Sequence, residues 1–180
     1  MREVRLKDLR ALEAEILAFF GPNLLGDAVE PRGLRLHEVR KLAASAHPLT
    51  MWWRSLRRDI QRSLERNQIS ISRGSARLME LFVDLQKICS LPNSERIFFN
   101  INNKSTFYSA VFEAASAVIF SSSGYELGIA AEGKNEGKKT PDFVVYSDHD
   151  RINVEAKSLE DLSIEEAGAS MKCASRCRDC

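Results

Sequence analysis

The sequence has no apolar run approaching the roughly 18 residues needed to cross a bilayer, so no membrane span is expected. Its opening stretch, MREVRLKDLRALEAE, is charged from the outset and lacks the apolar core of a secretion signal. A cytoplasmic location follows as the default. Cysteine is scarce: Cys89 stands alone, and Cys173, Cys177 and Cys180 crowd the last eight residues. That distribution excludes a framework of evenly paired disulfides. Histidine is scarcer still, and His37 and His47 have no partners at ligand spacing. The net charge of +1 argues neither for nor against a nucleic-acid partner.

What is present is the composition of a soluble globular protein, 44% hydrophobic and 28% charged over 180 residues. That length suits one ordinary domain, or a small domain with a helical extension. The charge is unevenly spread. Residues 1–100 carry 17 Lys/Arg against 12 Asp/Glu, and residues 101–180 carry 9 against 13. A basic front half followed by an acidic back half suits a DNA-gripping region beside a metal-binding one. Solvation of ordinary helix faces accounts for the same distribution.

Hydrophobic periodicity predicts helices over about 3–20, 36–46, 50–66 and 75–91, with a Gly/Pro-rich loop over 21–33. The helix at 50–66 carries Arg54, Arg57, Arg58 and Arg62 at three- and four-residue spacing, a pattern able to track phosphates. Trp52 and Trp53 on the same helix are available for stacking on a base. The simpler reading, and the favoured one, makes these tryptophans core and the arginines solvated.

From Ser94 the texture changes. Ser105-Thr106 supplies a cap for a helix from Phe107 to Ser121, and SSSG at 121–124 breaks it. Short strands are expected over 125–131, 143–146 and 152–157, with a Gly/Lys-rich loop at 132–140, a turn at 147–151 and a last helix at about 159–170. In the last strand Asn153, Glu155 and Lys157 alternate onto one face. A hairpin turn before that strand brings Asp142 toward Glu155. Two carboxylates a few Å apart repel each other, and a hard divalent cation such as Mg²⁺ relieves the repulsion.

Residues 107–159 resemble the PD-(D/E)xK superfamily of restriction-endonuclease-like nucleases. The matching pieces are Glu113 in FEAASAVI, Gly124-Tyr125 entering a strand, Pro141-Asp142-Phe143 and Glu155-Ala156-Lys157-Ser158. The resemblance implies that Asp142 and Glu155 hold Mg²⁺ or Mn²⁺, with Glu113 as an auxiliary acid. It assigns Lys157 to the attacking water and to the charge developing on phosphorus. The chemistry implied is in-line attack of a metal-activated water on a DNA phosphodiester. Glu126 and Glu132 are rivals for the upstream acid, and Glu113 is preferred because it occupies the helix where the family places one.

Other patterns carry less. Gly128 to Asn135 and Gly133 to Thr140 nearly spell a phosphate-binding loop, but the spacing or final hydroxyl is wrong and no helix follows. Lys134, Lys138 and Lys139 are read instead as contacts to a DNA backbone or as a solvated loop. His149, between Asp148 and Asp150, belongs to turn chemistry. The C-x3-C-x2-C tail has a spacing used by cluster-binding enzymes, and three thiolates with a further ligand suit zinc; a disordered tail is the favoured reading.

The expected architecture is therefore α/β (α+β). An α-helical region at 1–93 precedes a restriction-endonuclease-like αβββα core at 94–170, and a Cys-rich tail at 171–180 closes the chain. Only 23 residues follow Lys157, where the family's core continues with a helix and another strand, so a core shortened at its C-terminus is expected. The favoured function is metal-dependent cleavage of DNA. A catalytically inactive nuclease-fold protein, binding DNA or another protein, is the alternative, and a helical interaction module is a third reading. Paired cuts in duplex DNA would favour a homodimer.

Overall fold

The computed structural model describes residues 6–26, 35, 37, 45–130, 141–146 and 150–156. They form an α+β mixture in which helices come first and a small antiparallel sheet follows. The chain divides into two compact units, Met1–Gln86 and Lys87–Cys180. Among the described residues no helix is long and apolar enough to cross a membrane.

The first unit contains α1 (Leu6–Phe20), α2 (Pro22–Leu25), α3 (Pro48–Arg66) and most of α4 (Arg73–Ile88). The short helix α2 lies inside the stretch expected to be loop. Pro22 sets the first turn of α2, where its missing N–H is no loss, and Leu25 is fully buried. The helix expected at 36–46 falls almost wholly outside the described residues.

Leu9, Ile16, Leu49, Leu56, Leu78, Leu81 and Leu85 form the buried core of this unit. Trp52 and Trp53 belong to it as well, at 8% and 3% exposure, so their rings are not free to stack on a base. One buried polar group organises the α3–α4 connection. Asp59 Oδ2 accepts the Ser72 amide and the Ser75 hydroxyl, both at 2.6 Å, and so satisfies orphan donors at the start of α4. Burial pushes the Asp59 pKa up. Hydrogen bonds from Ser75 and Ser72, aided by the Arg62 charge, outweigh that and leave it below the ordinary value.

The second unit contains α5 (Glu95–Asn102), α6 (Phe107–Ser122), β1 (Glu126–Ile129), β2 (Phe143–Tyr146) and β3 (Arg151–Val154). Sequence periodicity identifies α6 and the strand at 143–146, while the eight-residue α5 is too short to declare itself. The expected cap on α6 is not made: Thr106 offers no side-chain cap bond, and its hydroxyl donates instead to the Asn100 carbonyl at 2.8 Å. The helix start is thereby tied to the end of α5. Gly124, at φ +85°, makes the turn from α6 into β1, a conformation costly for a residue with a Cβ.

The three strands form a β1-β2-β3 meander, antiparallel throughout. Leu127, Ile129, Phe143, Val145, Ile152 and Val154 share one face, as the register and strand alternation require. Phe120 of α6 meets Phe143 of this face edge-on, with ring centroids 5.6 Å apart. The buried stripe of α6 runs through Phe107, Ala110, Ala114, Ala117 and Val118, and one carboxylate, Glu113, lies within it.

Candidate functional site

The site begins with the strand register. Phe143 pairs with Ile129 on one side and Val154 on the other. On the β1 side the pairing extends one residue further, the Ala130 amide donating to the Asp142 carbonyl at 3.2 Å, while on the β3 side the Asp142 amide donates to the carbonyl of Val154, the residue already paired with Phe143, at 2.9 Å. The β2–β3 register ends at Phe143 opposite Val154, and the Asp142 amide bonds that same Val154, so Glu155, expected on the strand, lies one residue beyond its end and is not paired opposite Asp142. The Asp142 carboxylate is anchored by the residue that follows Glu155. Its Oδ2 accepts the Ala156 amide at 2.7 Å. Asp142 thus heads the central strand of the sheet, half-buried and fixed by main-chain donors. Glu155 is exposed.

Glu113 reaches the same place from the helix. It is 6% exposed and its Oε2 accepts from Arg96 Nη2 at 2.9 Å. The same Nη2 donates to the Asp142 carbonyl oxygen at 2.7 Å, and Nη1 lies 4.0 Å from Asp142 Oδ1. Arg96 therefore joins the two acids. It stands in the first turn of α5, entered through a turn in which Asn93 adopts a left-handed φ of 60°. The Asn93 amide side chain donates to the Ile129 carbonyl at 2.9 Å, tying that turn to the end of β1. Two neighbouring side chains thus fasten α5 to the sheet end where Asp142 stands.

The electrostatics follow from burial. Desolvation raises the Glu113 pKa from 4.5 to about 7; Arg96 opposes this and the nearby Asp142 adds to it. The ion pair with Arg96 does not reverse the direction, because the carboxylate is buried more completely than it is compensated. Near neutral pH, Glu113 is poised between its acid and carboxylate forms, a state that suits proton exchange or capture of a cation.

Do these groups suit a hard divalent ion? Among the described residues Asp142 Oδ1 and Glu113 Oε1 accept no hydrogen bond, and Oδ1 has only the Arg96 Nη1 charge at 4.0 Å. Mg²⁺ needs few protein oxygens and keeps several waters, so such a pair fits it. The described residues hold no group of three or more metal-ligating side chains. Of the expected site residues, Glu113 and Asp142 converge on Arg96, Glu155 is exposed just past the end of β3, and Lys157 lies outside the described residues. Glu126, the rival acid, is exposed on β1, while Glu132 lies outside them.

The expected DNA contacts are distributed as follows. On α3, Arg57, Arg58 and Arg62 are exposed and Arg54 is half-buried. Arg57 pairs with Glu13 at 3.1 Å. Lys134, Lys138, Lys139, His149 and the three tail cysteines lie outside the described residues. Arg96 had no sequence signal: it is a lone arginine in a short segment, 17 and 46 residues from its two partners. No family model, curated protein or solved structure matches the chain.

Proposed function

We propose that the second unit carries a metal-dependent phosphodiesterase site of the PD-(D/E)xK type, acting on DNA. The observation that carries this reading is the convergence of Glu113, from α6, and Asp142, from the head of β2, on Arg96, beside the end of β3 that Glu155 follows. In this reading Asp142 and Glu155 hold Mg²⁺ or Mn²⁺, and Glu113 contributes as the auxiliary acid. The bound ion would supply Lewis acidity and a water acidic enough to attack phosphorus near neutral pH. Asp142 is fixed at both its main chain and one carboxylate oxygen, so its other oxygen is held in place before the ion arrives. Lys157 takes its role from the resemblance alone.

The test is nicking of supercoiled plasmid with Mg²⁺ or Mn²⁺, comparing the wild type with Asp142→Ala and Lys157→Ala. Cleavage that disappears in EDTA and in both variants is expected, with DNA binding retained by Asp142→Ala. Cleavage indifferent to Asp142→Ala would overturn the assignment. A second reading, a non-catalytic nuclease-fold protein that binds DNA, is favoured by one observation: the chain's own Arg96 sets a positive charge between the two acids. DNA binding with no cleavage under any divalent cation would establish that reading instead.

A further inference from the structure

We infer that Arg96 is a built-in counter-ion that occupies the acidic pair when no metal is bound and competes with a divalent cation for it. The inference rests on the metal-site reading above and concerns how that site is regulated.

Glu113, Asp142 and Arg96 are all largely removed from water, with side chains 8%, 19% and 13% exposed. Two carboxylates in such surroundings need a nearby positive charge, and Arg96 provides it. Its hold, however, is incomplete. An arginine meets a carboxylate most strongly through two parallel N–H donors. Here Nη2 uses its hydrogens on two different oxygens, Glu113 Oε2 and the Asp142 main-chain carbonyl. Nη1 stands 4.0 Å from Asp142 Oδ1, beyond hydrogen-bond range. Nε is buried with no hydrogen-bond partner among the described residues.

Among the described residues the guanidinium thus hydrogen-bonds through one corner only, and Glu113 Oε1 and Asp142 Oδ1 accept no hydrogen bond from it. A divalent ion approaching those oxygens meets the positive charge of Arg96 at close range. Loading the ion therefore opposes Arg96, and the arginine swings away or gives up its bond to Glu113. Arg96 acts through the acids and is a positioning residue. Its role is to hold the empty site together and to set the cation concentration at which the site fills.

The experiment is Mn²⁺ binding by calorimetry on the full chain, with thermal melts in EDTA and in millimolar Mn²⁺, for the wild type, Arg96→Gln and Arg96→Lys. Arg96→Gln is expected to melt lower in EDTA yet bind Mn²⁺ at least about tenfold more tightly. Arg96→Lys, which keeps the charge, stays close to the wild type. A residue with a merely structural role would weaken both stability and metal binding, so equal or weaker Mn²⁺ binding by Arg96→Gln overturns the inference. If Arg96→Gln is unfolded in EDTA, recovery of a cooperative melt in Mn²⁺ supports it, and failure to recover overturns it.

Failure of the metal-site reading looks different. In that case neither the wild type nor Arg96→Gln takes up Mn²⁺, and both proposals fall together. Mn²⁺ uptake by the wild type that Asp142→Ala abolishes, without tightening in Arg96→Gln, removes this inference alone.

Discussion

Replacing Glu113 by glutamine tests the electrostatics of the acidic pair without reference to catalysis. The folded protein holds this carboxyl at a pKa of about 7 against an ordinary 4.5. Between those values the native state binds a proton that the unfolded chain has released. Stability therefore falls as pH rises through this window: the contribution is fully present below 4.5 and lost above 7. A shift of that size corresponds to about 3 kcal/mol across the window, at 1.36 kcal/mol per pH unit. Glutamine retains an acceptor for Arg96 Nη2 and does not titrate. The informative quantity is the stability of the wild type minus that of Glu113→Gln, from denaturant unfolding in EDTA at several pH values between 4 and 8, because other titrations largely cancel in it. The difference should decline by about 3 kcal/mol on going from acid to neutral pH, leaving the variant the more stable protein at pH 8. A flat difference would show that the Arg96 ion pair offsets desolvation, and a wild type that gains on the variant as pH rises that it outweighs desolvation; either refutes the reasoning.

Three further outcomes test other parts of the molecule. Asp59→Ala leaves the Ser72 amide and Ser75 hydroxyl without their buried acceptor and should destabilise the first unit by about 2 kcal/mol in denaturant titrations. Because the Asp59 pKa is depressed, its contribution should persist through neutral pH and vanish only in acid, as pH falls below about 4 toward the folded-state value. Gly74→Ala should destabilise by about 1 to 3 kcal/mol, since a Cβ there would stand 2.9 Å from Ser55 Oγ; Ser55→Gly should recover part of the loss in thermal melts. Reversing the charge of Arg57, Arg58 and Arg62 should weaken DNA binding and flatten its salt dependence, measured by fluorescence anisotropy. Unchanged binding would leave these arginines as solvation alone.

The contrast between Glu113 and Arg96 shows where sequence reasoning succeeds here and where it stops. Glu113 is legible because the resemblance expects an acid on this helix; the structure then sets it within the buried stripe beside Ala110 and Ala114. The strand at 143–146 is legible because its apolar run is bounded by turn signals, whereas its register with β3, which ends at Val154 rather than at Lys157, is set by the turn and is not. Thr106 and Arg96 belong to another class. A threonine before a helix predicts a cap, yet the Asn100 carbonyl lies close enough to take its hydroxyl, and only the path of α5 decides between the two. α5 is only eight residues long. A helix this short gains little from local propensity and forms through its tertiary contacts, so its periodicity is too brief to read. Ile97 and Ile101 bury it, and that burial places Arg96 between two acids distant in sequence.

The acids of this site are therefore announced by local pattern, while their counter-charge is supplied by packing. That division has a physical basis. A carboxylate that leaves water must be compensated, but the compensating charge need only arrive in space, from any element that reaches the site. The acid carries a local signature because it stands on the helix where the resemblance expects one. The arginine disrupts nothing in α5 and becomes meaningful only beside Glu113 and Asp142. Arg96→Gln is accordingly the most discriminating substitution in the second unit. It leaves every element of the sequence pattern intact and removes the charge and the Nη2 hydrogen bonds that join Glu113 to Asp142.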